Sequence, residues 1–488
     1  MPSDHAGEGP GAGDSHADGS VFRRKEGALW MEGVRLSQLL HGVRGATGTG
    51  GLPTPFYVYS QAQLQHDFAR YADALAPRLP TSIVAFAVKA NPSRTLLSLL
   101  CRWGAGATVV SAGELTHVVR VGFPASRILL HGNGKAAADI DAALAHDTLI
   151  SIDSEFDLRH VRARAQACGR TARILLRVNP NIDPQVHPYI STGLLQSKFG
   201  MSEAAIERLR PSLLPPPIGR PAVVVHGLHC HLGSTLKSVQ PVLDAARQII
   251  PLALRLRDDG HPIDLLDLGG GLGIDYSHRS TVPVAPSPTD LIAGLAPLVS
   301  GAGLRLWLEP GRSIVARSGA LVGRVLGVKG HGGGDAAGER SFLVTDASMA
   351  QLIRPALYGA YHHIELLEEP LPSAASQLRL YDIVGPICES GDFLGQGRLL
   401  PTPQEGDGLI VYDAGAYGAA MASRYNLQFL PAEYLVHGDD VTCIRRAESY
   451  DDFAHLFVED PLPRTAHVTP GDPAAPGEPQ RPGANEKR

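Results

Sequence analysis

Short apolar runs punctuate the chain from residue 83 to 309: IVAFAV (83–88), ATVV (107–110), RILLH (127–131), LISI (149–152), ARILLRV (172–178), VVVHGLHC (223–230), IDLLDL (263–268) and LRLWLE (304–309). The first five are evenly and closely spaced, and the later intervals are longer. Between them, stretches such as SRTLLSLLCRWG and LDAARQIIPLALRLRDDG place apolar residues at i, i+3, i+4 and i+7, the pattern of one helix face. Runs apolar on both faces and alternating with helices predict buried parallel strands. Eight such units predict a (β/α)8 barrel. A doubly wound open sheet is the alternative, because periodicity does not reveal closure.

Beyond residue 315 the pattern changes. ALVGRVLGV, SFLVTD, RLYDIVGP, DGLIVYD, PAEYLV and VTCIRR are separated by Gly, Pro and Asp turns, with one convincing helical stretch among them. That predicts a mainly antiparallel β domain. WMEGV and PFYVYS also read as strands. The expected organisation is a tail over 1–20, N-terminal strands over 21–61 that join the β domain, a barrel over 62–316, the β domain over 317–458 and a second tail over 459–488. Both tails lack the apolar periodicity needed to offset ordering entropy.

Composition narrows the function. With 44% hydrophobic residues the chain can build a large core. A net charge of −5 provides no basic field for nucleic acid or an anionic membrane. No run approaches the roughly 18 apolar residues that cross a bilayer. Five cysteines without a CxxC pair fit a reduced, cytoplasmic setting. Lysine is scarce: Lys25, Lys89, Lys135, Lys198, Lys237, Lys329 and Lys487 are the only amines available for chemistry.

In a (β/α)8 barrel the active site lies at the C-terminal ends of the strands. Those ends carry Lys89 and Asn91, Ser111, His131 and Asn133, Asp153, Asn179, His231 and Ser234, Gly269–Gly271, and Glu309 with Arg312. Lys89 closes an apolar strand. Desolvation there favours a neutral amine able to form a Schiff base, and snorkelling to solvent is the plainer alternative. DLGGGLG (267–273) offers either a phosphate cradle or a tight turn. His229 and His231 share a strand face, either as a metal pair short of further ligands or with one ring stacked on a cofactor. Glu309 needs a buried partner, either Arg312 or a protonated ring nitrogen. An amine, a phosphate-binding loop, a ring-facing imidazole and a carboxylate on one barrel face together describe a pyridoxal 5′-phosphate site, with no metal.

FAVKAN (86–91) resembles the cofactor-lysine motif of the alanine-racemase-like, fold-type III decarboxylases of basic amino acids. The similarity runs from about residue 21 to 455, through RVNPNIDPQVHPYISTGLLQSKFG (177–200), GLHCHLGS (227–234), LEPGRSIVA (308–316), LIRPALYGAYHHI (352–364), VGPICESGDFLG (384–395) and DAGAYGAAMASRYN (413–426). HPYISTG and IRPALYGAYHHI favour the diaminopimelate branch. The resemblance implies that Lys89 holds pyridoxal phosphate, His231 stacks on its ring, and Glu309 pairs with the ring nitrogen. It implies that Ser234, Gly269, Gly270, Gly271 and Tyr417 hold the phosphate, and that Arg312, Arg354 and Tyr358 bind the substrate's far carboxylate. Cys388, as proton donor, and Glu389 would come from the partner subunit of a homodimer with shared sites. The implied reaction is decarboxylation of meso-2,6-diaminopimelate to L-lysine. The alternatives are a related decarboxylase acting on another diamino acid, a racemase on the same cofactor, and a non-catalytic homologue.

Two departures stand out. ATVVSAGEL carries Thr108 where the family usually has an acidic residue, one expected near the cofactor lysine, and Ala112 replaces a glycine. LQFLPAEYLV (427–436) lacks the arginine-rich sequence often found there.

Overall fold

The computed structural model describes residues 21–41, 51–183, 193, 197–214, 219–278, 284–330, 341–369 and 378–457. The expected tails lie outside these, as does most of HPYISTGLLQSK.

The eight apolar runs form β1 (Ile83–Ala87), β2 (Gly106–Val109), β3 (Ile128–Leu130), β4 (Leu149–Ile152), β5 (Ala172–Arg177), β6 (Val223–His229), β7 (Leu265–Asp267) and β8 (Arg305–Leu308). All neighbours are parallel, and β8 pairs with β1 to close the barrel. Side chains alternate across each strand, so each run has an inner and an outer face. The inner face explains the site. Ile83, Ala85, Leu129, Leu149, Leu175, Leu265 and Trp307 form a separate buried apolar plug. Two residues further along the same faces stand His131 after Leu129, Ser151 after Leu149, Arg177 after Leu175, Asp267 after Leu265 and Glu309 after Trp307, all buried. Dry packing below and polar groups above are thus one consequence of the strand period.

The second sheet is built on the long strand Gly319–Lys329. Phe56–Ser60, Gly408–Val411 and Ser341–Thr345 pair antiparallel to it. Two pairings are parallel: Ser341–Thr345 with Arg379–Val384, and Ala432–His437 with Phe56–Ser60. Of the N-terminal strands, only Phe56–Ser60 enters this sheet. Phe22–Lys25, Ala28–Met31 and Val34–Arg35 make their own three-stranded antiparallel sheet. It shares a core with the second sheet through Leu29, Met31, Val58, Val322 and Ile410. Barrel and sheet belong to one compact unit ending at Ala447, and a separate unit begins at Glu448. That second unit contains the short helix Tyr450–Ala454, capped by Ser449.

Candidate active site

The floor of the cleft is a carboxylate held from several sides. Glu309 Oε1 accepts from Thr108 Oγ1 at 2.8 Å and from His131 Nε2 at 2.6 Å. His229 Nε2 lies 3.7 Å from the other oxygen. Burial alone would raise the Glu309 pKa. The surrounding His131, His229 and His231 outweigh it and hold the carboxyl well below the usual carboxylate range. Asp267, fully buried at the end of β7, is pushed the opposite way by burial and by Glu309. Its Oδ1 accepts from the Gly269 amide at 2.8 Å. Two neighbouring carboxyls are thereby pushed in opposite directions, Glu309 down and Asp267 up. Burial, with His131 beside it, keeps His229 neutral.

Lys89 stands above this floor, in the short 3-10 turn Val88–Ala90 that follows β1. It lines the same cleft as Thr108, His231, Ser234, Gly271, Glu309, Arg312 and Tyr417. Among the described residues no other lysine does. Lys135, a rival amine, is buried and tied to Asp157 Oδ2 at 2.6 Å. Lys89 is exposed, so the desolvation expected from its strand position is absent: the chain turns before the side chain is enclosed. Glu114 is near enough for Lys89 to lower its pKa, although burial raises it overall. Glu114 is thus one acidic side chain within reach of the lysine's charge, and Glu309 lines the same cleft as the lysine. Thr108 lines the same cleft as Lys89, as expected for that position, and its hydroxyl donates to Glu309.

His231 lies just past the end of β6, in the cleft wall. Burial first, then Lys89 and Arg177, push its pKa down to about 3, so it is a neutral ring. The glycine loop packs tightly around it. A Cβ on Gly269 would come within 2.5 Å of His231 Nδ1, one on Gly270 within 2.2 Å of the Glu309 carbonyl, and one on Gly271 within 2.3 Å of the Gly233 carbonyl. Gly269 and Gly271 also have φ of +65° and +110°, where a side chain is strained. Of the three, Gly271 lines the cleft.

The rim is cationic. Arg312 donates through Nε and Nη2 to Ser234 Oγ, each at 3.2 Å, and through Nη1 to the Tyr276 hydroxyl at 2.6 Å. Arg354 donates to His362 Nε2 at 2.7 Å and lies 4.8 Å from the Tyr276 ring centroid. Both arginines are buried, and among the described residues neither meets a carboxylate. Arg312 is therefore not the partner of Glu309. Tyr417 sits under Arg312 at 4.9 Å, with φ of +58°, and its amide donates to the Ala90 carbonyl at 2.8 Å. Tyr358 is half-buried and close enough to raise the Arg312 pKa.

Cys388 and Glu389 are exposed and do not line the cleft of this chain. The Cys388 amide donates to Asn426 Oδ1 at 2.8 Å, and Glu389 Oε2 accepts from the Tyr425 hydroxyl at 3.1 Å. Three groups that matter here were not singled out from sequence: Asp267, Tyr276 and His362. The imagined His229–His231 metal pair separates. His229 instead meets His131 and Glu309, their ligand atoms within 4.8 Å of one another. Glu309 Oε1 already accepts two hydrogen bonds there.

Residues 61–316 match the family model described as the pyridoxal-dependent decarboxylase, pyridoxal binding domain, which covers more than half the chain. The chain belongs to the pyridoxal-dependent decarboxylase family. Within it, the sequence is 44% identical over 448 residues to a probable chloroplastic diaminopimelate decarboxylase of Oryza sativa subsp. japonica, covering 91% of this chain and 86% of that one. It is 36% identical over 438 residues to the diaminopimelate decarboxylase of Archaeoglobus fulgidus, covering 88% and 97%. Among solved structures, that of the Helicobacter pylori diaminopimelate decarboxylase complexed with L-lysine superposes with a TM-score of 0.76 at 33% identity, covering 83% and 96%. The M. jannaschii enzyme in co-complex with L-lysine gives 0.78 at 32% identity, covering 91% and 98%.

The cleft suits the cofactor of this decarboxylase family. An exposed amine, a neutral imidazole and an ionised carboxylate face one space. Ser234, the Gly271 backbone and Tyr417 line the same cleft. No described helix is long and apolar enough to cross a membrane.

Proposed function

We propose that this pyridoxal-dependent decarboxylase converts meso-2,6-diaminopimelate to L-lysine and CO2. The observation that carries the reading is the rim: two buried guanidiniums, Arg312 and Arg354, whose described partners are all neutral. A cation buried without a counter-charge is costly, so the rim suits a ligand that brings a carboxylate of its own beyond the reacting end. The diaminopimelate decarboxylase relatives support the same substrate.

Bound pyridoxal 5′-phosphate supplies an electron sink for the pair left at Cα when CO2 departs. Lys89 holds the cofactor through its amine. His231, neutral at working pH, packs against the ring face. Glu309, held by the donors Thr108 and His131, would keep a proton on the ring nitrogen. Ser234, Gly269, Gly270, Gly271 and Tyr417 bind the phosphate. Arg312, Arg354 and Tyr358 grip the remote carboxylate, where a planar guanidinium matches two oxygens. Cys388 and Glu389 enter from a second copy of the chain, and the Cys388 thiol returns a proton to Cα. Their exposure, and a cleft lining in this chain that does not include them, fit a homodimer with shared sites. Five free cysteines among the described residues fit work in the cytoplasm.

The test is a CO2-release and lysine assay with meso-diaminopimelate, with lysine, ornithine and arginine supplied in parallel. Release from meso-diaminopimelate alone is expected. Preference for ornithine, arginine or lysine overturns the reading.

A further inference from the structure

His362 was not marked by the sequence, yet its surroundings fix what it does. It is fully buried in the segment joining the helix Arg354–Tyr358 to the strand Ile364–Leu366. Its Nδ1 stands 2.8 Å from the Tyr412 carbonyl and its Nε2 stands 2.7 Å from Arg354 Nη1. A carbonyl only accepts, so Nδ1 carries the proton. A guanidinium only donates, so Nε2 must offer its lone pair. One tautomer of a neutral ring satisfies both neighbours. The Tyr276 ring meets His362 edge-on at 5.1 Å and lies 4.8 Å from the Arg354 guanidinium carbon. Arg354 is thus walled by an aromatic face on one side and held end-on by an imidazole on the other.

We infer that His362 is a positioning residue for Arg354: it anchors one guanidinium nitrogen to the Tyr412 backbone and leaves the rest of the fork aimed at the substrate's remote carboxylate. A carboxylate at His362 would neutralise the arginine, and a cationic donor there would repel it. A neutral acceptor fixes the direction of the guanidinium and leaves its charge unspent. The inference rests on the reading of Arg354 as a substrate anchor.

Two variants separate holding Arg354 from merely tying the segment to Tyr412. In His362→Gln the amide oxygen reaches about as far as Nε2 and can accept from Arg354. In His362→Asn the amide reaches only about as far as Nδ1, so it can donate to Tyr412 but not reach the guanidinium. Steady-state kinetics with meso-diaminopimelate are measured on holoenzyme whose bound-cofactor absorbance and thermal midpoint match wild type. His362→Asn should raise KM at least about tenfold with a much smaller change in kcat, the scale of one lost charge-assisted bond. His362→Gln should return KM to within about threefold of wild type. The reverse ranking, with Asn near wild type and Gln impaired, overturns the inference, as does an unchanged KM in both. If both variants lose cofactor or stability, His362→Ala assayed with added imidazole decides: recovery of KM supports positioning, and no recovery overturns it. Arg354→Leu run alongside keeps the underlying reading separate, because a normal KM there removes Arg354 as anchor whatever His362 does.

Discussion

At the floor of the cleft, Glu309 is satisfied within the protein: Thr108 and His131 donate to one of its oxygens, and His229 stands off the other. At the rim, Arg312 and Arg354 are equally buried, but among the described residues their side chains donate only to a serine, a tyrosine and a histidine. The floor is finished before any ligand arrives, whereas the rim carries positive charge still to be matched. The difference teaches a division of labour. A group that must keep one protonation state through a reaction is surrounded by fixed donors. A group that selects a ligand is left with its charge uncompensated, so that ligands lacking the matching charge are rejected.

The comparison breaks first at Lys89, which faces both layers. Borohydride treatment of holoenzyme followed by peptide mapping should place the pyridoxyl group on Lys89. Lys89→Ala should lose essentially all decarboxylation. If Cys388 enters from a second copy as proposed, Cys388→Ala should be nearly as impaired, and mixing the two inactive proteins should restore activity, because one site of each hybrid dimer would escape both changes. Absence of recovery after confirmed subunit exchange would count against the shared site.

A rim change should cost specificity and spare the floor. Arg354→Leu should lower kcat/KM for diaminopimelate by at least about 2 kcal/mol, with the absorbance of bound cofactor unchanged. Arg354→Lys should recover only part of that, since an ammonium does not reproduce the fork.

A floor change should do the opposite. Thr108→Val removes one donor from Glu309 while keeping the shape. It should lower kcat by roughly 1.5 kcal/mol, with KM little changed, and Thr108→Ser should restore it. A pure KM effect would mean that the two layers are not separate.

The smallest effect is in pH. Burial first, then Arg354, lowers the His362 pKa from 6.5 to about 3, against the bond to the Tyr412 carbonyl. The unfolded chain therefore takes up a proton between those values and the folded chain does not, so stability falls as pH drops through that window. The His362 share is at most about 1.4 kcal/mol per pH unit. Urea midpoints from pH 6.5 downward should show a shallower fall in His362→Gln than in wild type.

What the sequence made legible follows from where information sits along a chain. The barrel strands were readable because parallel strands are apolar on both faces, and Lys89, His231 and Glu309 because each stands just past such a run. Burial was less legible: the turn at Val88–Ala90 leaves Lys89 exposed. Thr108 looked like a lost counter-ion for the lysine, but its strand face points it to Glu309. Asp267 was masked by the glycines beside it. His362 had no signal, because its role depends on the turn at Gly359, φ +61°, that folds it back on Arg354. Tyr276 sits in a loop without periodicity. In each case the deciding contact is tertiary.

The two-residue step from plug to floor also governs how this protein can change over generations. Trp307 in β8 and Glu309 just past its end stand two residues apart on one face, so one inserted residue between Arg305 and Trp307 would turn both outward at once, losing the base of the barrel together with its central carboxylate. The barrel strands are thus closed to length variation. Arg354, Tyr358, His362 and Tyr417 come from segments beyond the barrel and answer to no such register. Lineages that adopt new substrates are expected to show their insertions and deletions in those connecting segments, with the eight strands constant in length.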